Sequence, residues 1–417
     1  MFGLVGKSLS HSISPLIHSG LGDPTYRIWE TQDIENFIKT QEFSGLNVTI
    51  PYKESIIPFL DELDGIAKTI QSVNTVIKRD GKLIGYNTDY YGLFKTIQYH
   101  KIPIKNKKVL IIGNGGASKT ALLLIKNMSA SQVQIICRNP KKENEIPLSD
   151  INQFYDANVI INTTPIGMYP HNDDELLFSL SNFQQLENVL DLIYNPLRTK
   201  LMIEAESCGA KTYNGLYMLV MQAKASRELF LNDSNIDHSI AKKIYDSLNR
   251  TRHNLVLIGL PLSGKSAYAK SLAPIYQKTI VDTDALIEML ENQSISSIFK
   301  DKGEPYFRKL ENKVITDLYQ TTNIIISTGG GMIQDLDIMN KLKQNGVIIY
   351  LDKDYHQIMD KEIRNRPLIN SKEDVEKIAL TRIPLYEKNA DISVKTDRPR
   401  NEVLSEIEAM INDYFSR

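Results

Sequence analysis

The sequence predicts an α/β protein assembled twice over, on three observations. Strand-like apolar runs alternate with helical stretches through most of the chain: KVLIIG, VQIIC, NVIINTT and VLDLIY, then LVLIGL, KTIVDTD, NIIISTGGG, GVIIYLD and ADISVKT. Unbroken β-branched runs of this kind suit parallel strands buried on both faces, with helical crossovers between them. Each series opens on a glycine-rich loop between a strand and a helix, IIGNGGASKT at 111–120 and IGLPLSGKSA at 258–267. At 417 residues the chain is too long for one ordinary core and implies two or three domains of roughly 100–200 residues each.

The break between the two series falls within 231–254, where IAKKIYDSL reads as an amphipathic helix and NRTRHN as a short polar connector, so the main boundary lies near Arg250. Residues 1–89 carry strands and turns of their own before the strand at Val109 begins. The expected domains are therefore 1–89 together with 216–250, then 90–215, then 251–417. A hydrophobic content of 42% and a formal net charge of -1 are ordinary for a soluble protein and predict no attraction to nucleic acid or anionic membrane. Met1 runs into FGLVG without a basic segment, and no apolar run approaches the roughly 18 residues of a membrane span, so the expected compartment is the cytoplasm. Cys137 and Cys208 are too few for a disulfide framework and lack metal-ligand spacing; both are expected to be packing residues in a reducing compartment.

In the second loop Gly259, Gly264, Lys265 and Ser266 fit G-x-x-x-x-G-K-[ST], between the strand NLVLIG and the helix SAYAKSLA. Backbone N–H groups there converge on phosphate oxygens, Lys265 reaches the β- and γ-phosphates, and the Ser266 hydroxyl is placed to ligate magnesium. Such a loop alone does not separate a GTPase, a motor ATPase and a small-molecule kinase. Downstream come VDTD (281–284), GEPYFRKLE (303–311), STGGG (327–331), RNRPLI (364–369) and TRIPLYEKNAD (381–391). In this order and spacing, residues 253–417 resemble shikimate kinase. The resemblance implies a P-loop domain with a parallel sheet that uses ATP and Mg2+. It implies that Asp282 helps hold magnesium, that Asp284 binds substrate hydroxyls and receives the proton, and that Gly329, Gly330 and Gly331 line the substrate pocket. Arg308 and Arg382 match the clamp for the substrate carboxylate, and Arg366 matches a lid arginine closing over the transferring phosphoryl. Two of these roles have independent support: carboxylates on alternate residues at the end of a parallel strand lie where α/β folds bind ligands, and planar bidentate pairing is what arginine supplies. Ala267 stands where the family commonly has a hydroxyl, while Ser266 keeps the magnesium-ligating position.

In the first loop Gly113, Gly115 and Gly116, followed by Ala117, permit close approach to a pyrophosphate, although Ser118 stands where a third glycine or alanine is usual. The next strand, VQIICRNPKK, ends in Arg138, Lys141 and Lys142 where an NAD site usually places an Asp or Glu. Positive charge there suits a 2′-phosphate, or is ordinary exposed charge beyond a strand end. Upstream lie SLSHSISPLIHS (8–19), GLNVTIPYKE (45–54), SVNTV (72–76) and GYNTDYYG (85–92); NTTPIGM (162–168), DLIYNPLRT (191–199) and GLYMLVMQA (215–223) follow. Together they make residues 1–250 similar to shikimate dehydrogenase, a two-domain enzyme with a Rossmann-type NADP domain. The resemblance implies that Ser12 and Ser14 hold the substrate carboxylate and that Asn47, Thr49, Asn74, Asp89, Tyr194 and Gln222 surround the ring hydroxyls. Lys53 would carry proton transfer, its charge and orientation influenced by Asp89. Asn162, Thr163, Gly167 and Met168 would lie around the nicotinamide, and His11 and His18 read as structural.

The two loops then have one explanation. The resemblances imply that the first half reduces 3-dehydroshikimate to shikimate with NADP(H) and that the second phosphorylates shikimate to shikimate 3-phosphate. The competing expectations are a non-catalytic, metabolite-sensing regulator built from the same domains, and quinate or NAD use in the first half. The partners expected are these small molecules, with no nucleic acid and no membrane, in a monomer or a homodimer.

Overall fold

In the computed structural model, which describes residues 1–9, 12–359 and 371–416, the chain separates into two units. The first comprises Met1–Asn195 and Thr199–Ser247, the second Pro196–Arg198 and Leu248–Arg417.

The first unit holds two six-stranded sheets. One is mixed: Phe2–Gly6 pairs in parallel with Arg27–Glu30 and Gly45–Val48, and Gly45–Val48 runs antiparallel to Thr75–Arg79. Thr75–Arg79 returns as Lys82–Tyr86 through a two-residue turn, Asp80-Gly81, in which both φ angles are positive; Asp-Gly is the pair that such a hairpin favours. The other sheet is wholly parallel, ordered Lys211–Tyr213, Asn188–Asp191, Val159–Asn162, Lys108–Ile112, Gln132–Cys137, Glu145–Pro147. The predicted runs KVLIIG, VQIIC, NVIINTT and VLDLIY supply its four inner strands. The chain leaves Lys108–Ile112 in one direction and returns to its opposite edge, where Val159 faces Val109. At that reversal of direction an α/β sheet opens its ligand crevice, and the Gly113–Gly116 loop leaves the sheet there. Leu93, Ile97, Leu124 and Ile125 cover one face against Ile111 and Val159, while Ile151 and Leu201 cover the other against Leu110 and Ile160. The edge strands Glu145–Pro147 and Lys211–Tyr213, three residues each, were not among the predicted runs.

The second unit is built on five parallel strands, ordered Thr279–Asp282, Ile324–Ser327, Asn254–Ile258, Gly346–Asp352, Ile392–Lys395, and each corresponds to a predicted run. Asn254–Ile258, from which the second glycine loop springs, is central and buried throughout. Val256, Ile326 and Ile348 point to one core and Leu257, Ile325 and Ile349 to the other, so truncating any of them to Ala should cost about 2–5 kcal/mol. The helix Lys372–Asn389, which carries Arg382 and Tyr386, starts in a reciprocal cap: Ser371 Oγ accepts the Asp374 N–H and the Asp374 carboxylate accepts the Ser371 N–H.

Among the described residues no helix is long and apolar enough to cross a membrane, and no group of three His, Cys, Asp or Glu could hold a metal ion. Cys137 is buried in the core as expected of a packing residue. Cys208 is not: it caps the end of the helix Lys200–Ser207 and is exposed, because the chain turns there through solvent.

Candidate active sites

In the first unit the short helix Tyr52–Ser55 follows the strand Gly45–Val48 and is anchored by the Tyr52 hydroxyl, which donates to the Thr31 carbonyl at 2.6 Å. The next residue, Lys53, reaches across the sheet, its Nζ 2.6 Å from Asp89 Oδ2, with side chains 21% and 9% exposed respectively. Asp89 is the first residue of the helix Asp89–Tyr99, where the helix dipole favours a carboxylate. Its other oxygen accepts from Asn74 Nδ2 at 2.8 Å, and Asn74 Oδ1 accepts the Thr88 N–H at 2.7 Å. Asn74 Nδ2 also lies 3.5 Å from Gln222 Oε1. Lys53, Asp89, Asn74 and Gln222, far apart in sequence, thus form one connected group.

Asn47 joins the same group through residues that the sequence analysis did not single out. Its Nδ2 donates to Ser226 Oγ at 2.7 Å and Thr75 Oγ1 at 3.1 Å, and its Oδ1 accepts the Tyr26 hydroxyl at 2.7 Å. Ser226 Oγ in turn lies 2.8 Å from Thr75 Oγ1 and 3.0 Å from Thr88 Oγ1. Both amide hydrogens of Asn47 are therefore engaged within the protein. Thr75 and Thr88 lie inside two motifs quoted above. Ser226 was legible only as one helical turn beyond Gln222, whose carbonyl accepts its hydroxyl at 3.0 Å. Behind them His18 stacks on Tyr26, ring centroids 3.8 Å apart, and burial lowers it to about 3 against the opposing pull of Asp23. It is a neutral packing group. Ser12 Oγ donates to Ser14 Oγ at 3.2 Å, Thr49 is partly exposed beside Gly6, and Tyr194 follows the strand Asn188–Asp191. His11 lies outside the described residues.

The glycine loop stands against this group. Gly113 has φ +103°, and a Cβ there would lie 2.8 Å from Thr163 Oγ1, which donates to the Ile112 carbonyl at 2.7 Å. Gly115 caps the helix Gly116–Asn127, whose first turn, including Ala117, presents free N–H groups. A Cβ at Gly116 would lie 2.8 Å from Ser72 Oγ and 3.9 Å from Lys53 Cβ, so the helix N-terminus and the proton-transfer candidate share one cleft. Ser72 Oγ is buried and lacks a hydrogen-bond partner among the described residues. Across the cleft Lys119 pairs with Glu54 at 2.7 Å. Asn162 Nδ2 donates at 3.0 Å to Asp191, whose carboxyl burial raises to about 6 against bonds from the Ile193 N–H, Thr199 and Asn162. Gly167 takes a positive φ, and Met168 is 39% exposed. Arg138, Lys141 and Lys142 are exposed beyond the end of Gln132–Cys137, without a side-chain hydrogen bond among the described residues. Among them sits Glu145, which the sequence analysis missed.

In the second unit Lys265, Ser266, Asp282, Asp284, Ser327 and Gly330 are among the residues lining a cavity of ≈ 160 Å³. Lys265 curls back, Nζ donating to the Gly259 and Leu260 carbonyls at 2.9 Å each. Ser266 Oγ donates to Asp282 Oδ2 at 2.7 Å and lies 3.1 Å from Ser327 Oγ. These hard oxygen donors suit Mg2+ completed by phosphate oxygens and water. Asp282 also caps the helix Thr283–Glu291 by accepting the Asp284 and Ala285 N–H groups, and Asp284 Oδ1 would lie 2.7 Å from a Cβ at Gly329. Arg308 packs over Gly331 and is forked by two acids: Nη1 donates to Glu311 at 2.7 Å, Nη2 and Nε to Glu304 at 2.6 and 3.1 Å. Glu311 is 1% exposed; burial and the charge of Asp284 raise it to about 7 despite Arg308. Arg382 is buried with its Nε unpartnered among the described residues, and the Tyr386 hydroxyl donates to the Gly330 carbonyl at 2.6 Å. Glu311 and Tyr386 stood unremarked within quoted motifs. Arg366 lies outside the described residues.

Comparison with known proteins assigns both halves. The family described as shikimate dehydrogenase substrate binding domain matches residues 4–76, and shikimate kinase matches residues 261–412. The shikimate dehydrogenase (NADP(+)) of Clostridium perfringens is 35% identical over 267 residues, covering 60% of this chain and 98% of that protein. Among solved structures, shikimate dehydrogenase 1 from Peptoclostridium difficile is 38% identical, with a TM-score of 0.55 over 59% of this chain and 97% of that one. Quinate dehydrogenase from Corynebacterium glutamicum in complex with NAD is 26% identical, with a TM-score of 0.52 over 59% and 98%.

Proposed function

Because the chain belongs to the shikimate dehydrogenase family and carries a shikimate kinase domain, we propose that it performs two consecutive steps, reducing 3-dehydroshikimate to shikimate and then phosphorylating shikimate. The observation that carries the first step is the hydrogen-bonded group Lys53–Asp89–Asn74 lying against the N-terminus of the helix Gly116–Asn127. The Gly113–Gly116 loop and the N–H groups of the helix Gly116–Asn127 would hold NADPH, which would supply hydride for the carbonyl carbon. Lys53 Nζ gives its proton to the carbonyl oxygen as that oxygen gains negative charge, while Asp89 holds the ammonium in place. Asn47, Thr49, Asn74, Tyr194 and Gln222 fix the ring by its hydroxyls, Ser12 and Ser14 hold its carboxylate, and Asn162, Thr163, Gly167 and Met168 border the nicotinamide.

In the second step Arg308 and Arg382 take the shikimate carboxylate, Gly329 to Gly331 border the ring, and Asp284 receives the proton of the hydroxyl that attacks the γ-phosphorus of ATP, whose bond to the β,γ-bridging oxygen breaks as ADP leaves. Ser266 and Asp282 would hold Mg2+, which would neutralise phosphate charge. Lys265 exchanges its two loop carbonyls for phosphate oxygens, and Arg366 closes over the transferring group. The domains proposed for this work are 1–89 with 216–250, 90–215 and 251–417, in a protein of the cytoplasm. Mass spectrometry of the full chain supplied with 3-dehydroshikimate, NADPH and MgATP is the test. Shikimate should appear when ATP is withheld, and shikimate 3-phosphate when both are present; a chain that forms neither product is the regulator instead. Quinate and NAD form a second reading of the first half, favoured by the likeness to a quinate dehydrogenase that holds NAD.

A further inference from the structure

The adenosine end of the dinucleotide crevice contains a carboxylate that a site dedicated to a 2′-phosphate would not need. Glu145 begins the edge strand Glu145–Pro147, which lies parallel to Gln132–Cys137. Its Oε2 accepts the Lys141 N–H at 2.8 Å and Asn114 Nδ2 at 3.2 Å, and lies 4.0 Å from Cys137 Sγ. Asn114 belongs to the glycine loop, and Cys137 ends the strand that follows that loop's helix. The carboxylate thus bridges the two elements between which a Rossmann-type crevice receives the adenosine ribose, where an NAD site has an acid at the end of its second strand. Here the acid arrives from the third strand instead, so the sequence at the second strand's end, all basic, did not reveal it.

We propose that Glu145 is a cofactor-specificity residue, accepting the ribose 2′-hydroxyl of NAD and opposing the 2′-phosphate of NADP; this rests on the dinucleotide reading of the first unit. It opposes the phosphate twice. Its charge would repel a phosphate bound beside it, and its Oε2 occupies the Lys141 N–H and the Asn114 amide, donors that a 2′-phosphate would otherwise use. Oε1 has no hydrogen-bond partner among the described residues and is the acceptor left for a hydroxyl. Burial raises the Glu145 carboxyl, but the Lys141 N–H, the Asn114 amide and the charges of Lys142 and Lys141 outweigh it and hold the group below the usual range, ionised at neutral pH. Arg138, Lys141 and Lys142 still attract a 2′-phosphate from the rim. The subsite is therefore two-faced, and the wild-type chain accepts both cofactors.

Calorimetric titration of NADP+ and NAD+ into the full chain, wild type, Glu145→Gln and Glu145→Ala, tests this, alongside kcat/KM for shikimate oxidation with each cofactor. Both variants should raise the ratio of NADP+ to NAD+ affinity about tenfold, the scale expected for one close charge in a partly exposed site. The shift should lie in Kd and KM, with kcat unchanged. Glu145→Gln keeps the side chain's size, so retained NADP+ affinity shows an intact fold. A ratio within about twofold of wild type in both variants overturns the proposal. A wild type that binds neither cofactor overturns the dinucleotide reading itself, which is a different result.

Discussion

The two halves are proposed to hold the same small acid, yet they prepare for it oppositely. In the first unit the candidate groups are mostly amides and hydroxyls, and they satisfy one another: Asn47, Thr75, Thr88, Ser226 and Asn74 form one network that ends in the Lys53–Asp89 pair. In the second the candidate groups are cations, parked on partners inside the protein. Lys265 lies on two loop carbonyls and Arg308 on two acids. The difference follows from the penalty for burying an unpaired charge, which exceeds that for an unpaired hydroxyl. A network of neutral groups can stand finished before its ligand arrives, whereas a buried cation needs temporary acceptors, carbonyls for Lys265 and carboxylates for Arg308, that the ligand must displace.

The largest test of that contrast is to remove the cation from each side. Lys53→Ala should lower shikimate oxidation by roughly 10²- to 10⁴-fold and leave ATP-dependent phosphorylation near normal, while Lys265→Ala should do the reverse. If either variant loses both activities, the two sites are not separate devices. Next in size is Arg308→Ala. It removes charge-assisted bonds of about 1.5–3 kcal/mol, so shikimate should bind the kinase site roughly 10- to 100-fold more weakly by calorimetry, with dehydrogenase KM unchanged. Unchanged affinity would mean that Glu304 and Glu311, not substrate, are the final partners of this arginine.

Acid should weaken the first half more than the second, because burial there lowers both His18, to about 3, and His100, to about 4. Among the described residues of the second half it lowers His253 alone, to about 3; the Nδ1 of His253 lies 2.7 Å from the Asn249 carbonyl. Their folded pKa values lie below the unfolded value of about 6.5, so the unfolded chain binds more protons in between. Stability is full above about 6.5 and falls as pH drops towards 3, by up to about 1.4 kcal/mol per pH unit for each histidine. Denaturant melts across that window should show the first unit's transition falling further than the second's, and His18→Phe should reduce the acid limb of the first unit alone, leaving the part due to His100. The smallest effect is expected at Ser226. Replacing it with Ala removes a net bond of about 0.5–1.5 kcal/mol, which should raise the KM for shikimate roughly two- to tenfold at unchanged kcat. A change in kcat alone would show that the hydroxyl network acts on Lys53, not on the ring.

The parallel strands were legible because their residues are apolar on both faces, a pattern that survives without knowledge of any partner. Glu145–Pro147 and Lys211–Tyr213 were not, since three residues at a sheet edge carry no period. Lys265 and Ser266 are proposed from the fixed spacing of a phosphate loop and Asp282 from the resemblance, and the three lie along one cavity. Ser226 and Glu145 act through neighbours distant in sequence, Asn47 lying 179 residues from Ser226 and Asn114 31 from Glu145, and no spacing rule reaches them.

The pair formed by Lys119 and Glu54 gives the dehydrogenase cleft a dependence on ionic strength. It ties the helix after the first glycine loop to the segment that carries Lys53, and its side chains are 25% and 52% exposed. Such a bond contributes at most about 1 kcal/mol and is screened by ions, whose Debye length is about 8 Å at physiological salt. Added salt therefore favours the parted form of the cleft, loosening the grip on cofactor and speeding its departure. Where cofactor release limits turnover, the first unit should run faster as salt rises, up to the point at which cofactor no longer stays bound long enough to react.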